Sequence, residues 1–129
     1  MSLPSWSQYQ EDAAAYFHRL GLSAETNVTL QSVRSSHDVD VVVRFERAGI
    51  AHLWVVECKD YSRSVEKEKP LALRTVVDDV GADRGFLLCE KGFQRGAREV
   101  AEKTNITVTS LATAALAVAF VTTPTLPVQ

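Results

Sequence analysis

The chain has 129 residues, 46% of them hydrophobic, which is one domain's worth of sequence with enough apolar content for a proper core. Fourteen Lys and Arg against sixteen Asp and Glu leave a net charge of -2, the wrong balance for a protein that coats nucleic acid non-specifically, so any DNA contact needs a local basic surface, a metal or further domains. Met1 to Trp6 lacks a basic region followed by an apolar run, and the apolar stretch Leu111 to Val121 is shorter than the roughly 20 residues of a bilayer span, so a soluble cytoplasmic protein is expected.

Trp6, Tyr9, Ala13, Tyr16, Phe17 and Leu20 recur at three- and four-residue steps, predicting an amphipathic helix with Ser5 or Ser7 as N-cap and Gly21 closing it. Glu11 lies near the start of this helix, and taken alone it reads as a solvated acid favoured by the helix dipole. Val28 to Val33 predicts a first strand, followed by the polar turn Arg34-Ser35-Ser36. His37 to Val43 and Val55 to Lys59 then read as the arms of a hairpin, with Gly49 supplying a permissive turn.

A turn centred between Ala48 and Gly49 sets Phe45 opposite His52, Asp40 opposite Glu57 and Asp38 opposite Lys59. Opposed residues of an antiparallel pair share a face, so Asp40, Glu57 and Lys59 form one cluster with Asp38 at its edge. A slip of one residue would move Asp40 to the other face. Val39, Val41, Val43 and Phe45 form the opposite, apolar row, which the first helix can cover.

Ser62 to Lys69 is polar and alternates in charge, predicting a loop or helix start. Pro70 suits the first turn of a helix whose buried stripe is Leu71, Leu73, Val76, Val77 and Val80, ended by Gly81. Gly85 to Cys89 predicts a strand covered on both faces. Glu90 to Phe93 is a loop, Gln94 to Lys103 a helix, Ile106 to Val108 a last strand and Leu111 to Phe120 a last helix. The order α-β-β-β-α-β-α-β-α calls for a mixed sheet with helices on both faces. Residues 1–121 are expected to form a single domain and 122–129 a loose tail. Cys58 and Cys89 form no CxxC pair and are expected to be reduced and buried.

These residues resemble a known family. Glu11 in the first helix, Val39-Asp40-Val41, the triplet Glu57-Cys58-Lys59 with the following Asp60-Tyr61-Ser62, Gly85-Phe86-Leu87-Leu88 and Gly92-Phe93-Gln94-Arg95-Gly96-Ala97 are similar, in order and spacing, to the PD-(D/E)XK nuclease superfamily and its Mrr-like restriction endonuclease branch. The resemblance covers roughly residues 8 to 111. It implies an α/β fold, a restriction-endonuclease-like three-layer α/β/α arrangement around a central mixed sheet. It also implies a metal-dependent DNA endonuclease with Asp40, Glu57 and Lys59 as catalytic residues. Two features depart from the family: Asp40 follows His37-Asp38-Val39 instead of a glycine-rich turn, and the extra DNA-reading domain of many relatives is missing, which leaves target choice open.

On that reading Asp40, Glu57 and the backbone carbonyl of Cys58 hold Mg²⁺, with Mn²⁺ as a substitute, and Glu11 completes the shell from the helix. Lys59 orients the attacking water and offsets charge developing on the phosphate. Gln94 and Arg95 at a helix start, and Arg63 in the polar loop, are candidate contacts to the backbone of double-stranded DNA. Each also reads as ordinary surface, since Arg63, Lys67 and Lys69 are interleaved with Glu66 and Glu68. His37 and His52 are expected at the surface, and Tyr61 in packing. The alternative is an inactive nuclease-fold module for nucleic-acid binding or assembly, whose acids and lysine form only an ion-pair network. The small-residue helix from Leu111 to Phe120 adds the expectation of a homodimer.

Overall fold

The computed structural model describes residues 5–60 and 62–122, with residues 117–122 given by their backbone alone. In chain order the elements are α1 (Ser5–Arg19), β1 (Ser23–Gln31), β2 (Ser36–Arg47), β3 (Ile50–Cys58), α2 (Glu68–Val80), β4 (Arg84–Leu88), α3 (Arg95–Ala101), β5 (Ile106–Thr109) and α4 (Leu111–Thr122). The expected element order is therefore present. The five strands form one sheet in the order β1-β2-β3-β4-β5. β1, β2 and β3 pair antiparallel, while β3, β4 and β5 pair parallel. No helix among the described residues is long and apolar enough to cross a membrane. Tyr61 and residues 123–129, on which a packing role and most of the tail were expected, lie outside the described residues.

Helices cover both faces, giving three layers and two cores. Under α1, the residues Ala13, Ala14 and Phe17 pack on Val41, Val43, Val56 and Leu88. Under α2 and α3, Leu73, Val77 and Ala101 pack on Val42, Val55, Leu87 and Ile106. Val41, Val43, Val55 and Val56 are fully buried, and each such side chain contributes on the order of 1.5–3 kcal/mol of burial. Trp6 and Leu20, expected in the buried stripe of α1, are exposed at its two ends.

The hairpin turns at Ala48 and Gly49, whose φ angles are 54° and 77°, the left-handed pair that a two-residue type I′ loop requires. Arg47 then pairs with Ile50 and Phe45 with His52, and the register holds through to Val41 and Val56, as the turn position implies. Along β1 and β2 the ladder runs from Ser23–Arg44 to Thr26–Val41, passes over Asn27 and Asp40, and resumes at Val28–Val39. Asn27 has a φ of 55°, so the pleat is broken there while the register stays the same on either side. The consequence corrects one expectation. Val39 packs in the α2 core with Leu30 and Val42, not with Val41 and Val43 beneath α1.

Two further expectations change. β1 begins at Ser23, five residues earlier than the Val-led stretch suggested, because pairing with β2 carries a segment of weak strand propensity. Val33 lies instead in the turn after β1 and is almost fully exposed. In α2 the buried residues are Pro70, Leu73 and Val77, whereas Leu71 points outward. Gly81 closes that helix at a φ of 70°. Cys58 and Cys89 are free thiols, half-buried and buried respectively.

Gly85 lies beneath α2 with no room for a side chain. A Cβ there would lie 2.7 Å from Val77 Cγ2, 3.0 Å from Ile106 Cδ1 and 3.1 Å from Leu73 Cγ. Gly85→Ala is expected to lower stability by about 1–3 kcal/mol through overpacking, read as a shifted denaturant midpoint with an unchanged slope.

Asp79 ties α2 to the β1–β2 turn. Its carboxylate accepts hydrogen bonds from His37 Nε2 at 2.8 Å, Arg34 Nη2 at 3.1 Å and Ser35 Oγ at 3.2 Å. His37 first, then Arg34, hold its carboxyl below the usual carboxylate range. A depressed pKa stabilises the fold above the unfolded-state value and loses that contribution as pH falls through the folded value. Asp79→Asn should therefore lower Tm at neutral pH, with the gap from the parent closing as the acid range is entered.

Candidate active site

At the end of the hairpin away from the turn, main-chain pairing between β2 and β3 stops at Val41–Val56, and a side chain continues it. Asp40 Oδ2 accepts the Cys58 backbone N–H at 2.8 Å, and Oδ1 accepts Gln10 Nε2 from α1 at 3.0 Å. The acid thus joins three elements, and it can do so because the pleat breaks at its position.

Glu57 is the next residue along β3, and its side chain is 20% exposed. Its pKa is pushed from 4.5 up to about 8, by burial first and by the adjacent Asp40 second, with Lys59 acting in the opposite direction. Lys59 Nζ lies 3.8 Å from Glu57 Oε2, while the Lys59 backbone N–H bonds Leu88 O at 2.8 Å. The two-residue spacing of Glu57 and Lys59 thus brings acid and ammonium together where β3 meets β4. Between them, burial pushes the Cys58 thiol up, followed by the charges of Asp40 and Glu57, which keeps it protonated.

Gln10 is 5% exposed, and its Oε1 has no hydrogen-bond partner among the described residues. An ionised carboxylate only accepts, so the amide nitrogen must face Asp40, which leaves the oxygen unpaired. A buried unpaired acceptor costs about 1–3 kcal/mol. Two adjacent carboxylates and an unpaired oxygen are hard donors of the type that suits a divalent cation. Asp40 and Glu57 are nevertheless only two acids: no group of three or more His, Cys, Asp or Glu set to hold a metal occurs among the described residues.

The remaining sequence candidates are placed as follows. Glu11 is exposed and accepts a hydrogen bond from Thr26 Oγ1 at 3.1 Å, so α1 presents Gln10, not Glu11, to Asp40. Asp38 pairs with Thr29 of β1, whose Oγ1 donates at 2.7 Å, and makes no ion pair with Lys59, whose ammonium lies by Glu57. Gln94 occupies the N-cap position of α3 without a side-chain cap bond. Arg95 reaches Glu99 at 2.9 Å and Arg63 reaches Glu66 at 3.5 Å, all of them exposed. A bridge between Val65 and Phe93 brings the loops carrying Arg63 and Gln94 side by side, beyond the C-terminal ends of β3 and β4.

Sequence reasoning passed over Gln10 and Glu90. The signal for Gln10 is its place in the stripe Gln10, Ala13, Ala14, Phe17, a polar residue on a buried face. Glu90 accepts the backbone N–H of Leu111 at 2.7 Å and of Ala112 at 3.2 Å, and it also accepts the Tyr9 hydroxyl. It therefore fastens the start of α4 to the residue beside Gln10. Burial and Glu90 together raise the Tyr9 phenol and keep it protonated.

Among curated proteins, none matches the chain. Solved structures share its fold. A protein of unknown function, AF1548, superposes with a TM-score of 0.70 at 21% identity over 83% of this chain and 58% of its own. A repair endonuclease from Pyrococcus abyssi gives 0.57 at 15% identity over 86% of this chain and 49% of its own. The DNA modification-dependent restriction endonuclease AspBHI gives 0.56 at 17% identity over 81% of this chain and 28% of its own. The chain therefore spans between 28% and 58% of these structures' lengths, and at such identities the likeness is one of fold, the restriction-endonuclease-like α/β/α arrangement. A family model for Mrr_cat, restriction endonuclease, matches residues 4–118. With nearly its whole length matched, the chain belongs to the Mrr_cat restriction endonuclease family.

Proposed function

We propose that residues 1–121 form the nuclease domain of a divalent-metal-dependent DNA endonuclease that hydrolyses phosphodiester bonds. The observation that carries this reading is the half-buried group of Asp40 and Glu57 with Lys59 Nζ 3.8 Å from Glu57, in a chain of a restriction endonuclease family. Asp40 and Glu57, with the Cys58 carbonyl, are the proposed holders of Mg²⁺ or Mn²⁺, and the orphaned Gln10 Oε1 suits a water of that shell better than Glu11 does. The ion, when bound, lowers the pKa of a water and polarises the scissile phosphate. Asp40 keeps its orientation through the Cys58 N–H and Gln10. Lys59 orients the nucleophilic water and meets charge developing on the phosphoryl oxygens. Arg63 and Gln94 on the adjoining loops and Arg95 at the start of α3 are the proposed contacts to the duplex backbone. Cutting both strands takes two such sites, so a homodimer is the expected acting form.

A second reading, an inactive module for nucleic-acid binding or assembly, draws on one observation. Both Asp40 oxygens already accept hydrogen bonds from the protein, as they would in a purely structural network.

Three measurements separate the two. Lys59→Ala is expected to cut cleavage of duplex DNA by about 100-fold or more while circular dichroism stays unchanged. Full activity in that variant would refute the mechanism. Asp40→Asn should abolish Mn²⁺ binding in calorimetry, and binding that survives the change places the ion elsewhere. Because Glu57 holds its proton up to about 8, the ion must displace that proton at lower pH. Mn²⁺ affinity is expected to rise with pH and level off above about 8, with proton uptake by the buffer below it.

A further inference from the structure

At the other end of α1, beyond its C-terminus, an open cavity of about 580 Å³ lies between the α1–β1 connection and the turn end of the hairpin. Its walls include Phe45, Trp54, Arg44, Glu46 and Arg47. Five residues of β2 separate Asp40 from Phe45, roughly 16 Å of extended strand, so this cavity is distinct from the cluster at Asp40.

Three features define what would fit it. Phe45 and Trp54 pack edge-to-face, with ring centroids 4.6 Å apart; His52 stacks on one face of Phe45 at 4.7 Å, and Phe45 and Trp54 both keep exposed surface on the cavity wall. Arg47, two residues beyond Phe45 on β2 and so on the same face, is exposed and makes no ion pair among the described residues, which gives that wall a positive charge. The volume lies in the range of small-molecule sites, about 300–1,000 Å³. Aromatic surface next to a guanidinium group suits a planar, π-bearing ligand with an attached anion, because stacking and phosphate pairing act at the two ends of one molecule.

We propose that the cavity between the α1–β1 connection and the hairpin turn binds one unpaired nucleotide of a DNA strand, its base on the exposed surface of Trp54 and Phe45 and its phosphate on Arg47. A paired base is already stacked in the duplex and cannot offer its face, so the site selects for single-stranded or extruded nucleotides. The inference rests on the DNA reading of the chain but not on the metal chemistry at Asp40.

The chain has two tryptophans, and Trp6 is exposed, so Trp6→Phe leaves Trp54 as the sole indole reporter. This protein is titrated with single-stranded oligothymidylate and with a duplex of matched length, in EDTA, where metal-dependent cleavage is silent. The expected result is quenching of Trp54 emission that saturates at lower concentrations of single strand than of duplex, and an apparent affinity that Arg47→Glu weakens by about 10-fold or more. Trp54 also packs on Phe86, so its removal could unfold the chain, whereas Arg47 is exposed and its replacement leaves the core intact. No change in Trp54 emission, quenching that Arg47→Glu leaves unaltered, or equal quenching by duplex would each overturn the proposal. A failed nuclease assay would leave this binding result standing, because cleavage plays no part in the titration.

Discussion

The arrangement depends on one carboxylate closing one strand pair. Where β2 and β3 run out of main-chain partners, Asp40 accepts the Cys58 N–H and so completes the hairpin with a side chain. The same carboxylate takes the Gln10 amide from α1, which fixes the helix against the sheet at that end. A hydrogen bond to an ionised acceptor is stronger than a neutral one, on the order of 1.5–3 kcal/mol. It holds the backbone that carries Glu57 and Lys59, so the geometry of the whole cluster follows from it.

The energetic tension of the cluster is local and electrostatic. Glu57 meets a second carboxylate in a half-buried place, and its affinity for a proton rises accordingly. Lys59 offsets part of this, and the Gln10 oxygen stays unpaired among the described residues. A rigid surround is needed to keep such groups together. It comes from the valines buried on both faces of the two strands, and from Phe17, which packs edge-on against Phe86 at 5.6 Å and Trp54 at 6.2 Å. Those two cores stabilise the strands that the acids leave under-stabilised.

Glu90 extends the same logic. It caps α4, receives the Tyr9 hydroxyl, and so links the last helix to the residue next to Gln10. The helix that covers the apolar core is thereby held from two directions, by Asp40 through Gln10 and by Glu90 through Tyr9.

Periodicity and turn chemistry were enough to determine the element order, the hairpin turn at Ala48-Gly49 and the register that follows from it, because these are local or nearest-neighbour properties of the chain. The side-by-side spacing of Glu57 and Lys59 was legible for the same reason. The break in the pleat at Asn27 and Asp40 was not, since period-two reasoning assumes an unbroken ladder, and so Val39 was assigned to the wrong core. Nor could the sequence choose between Gln10 and Glu11. Neighbouring residues on a helix point about 100° apart, and only the docking angle of α1 on the sheet decides which of them reaches Asp40. Asp38 was likewise drawn to Thr29, nine residues away in the neighbouring strand, because the β1–β2 register was not read from the sequence. What tertiary structure alone decided was therefore the direction in which each polar side chain leaves its element, because that is set by long-range packing.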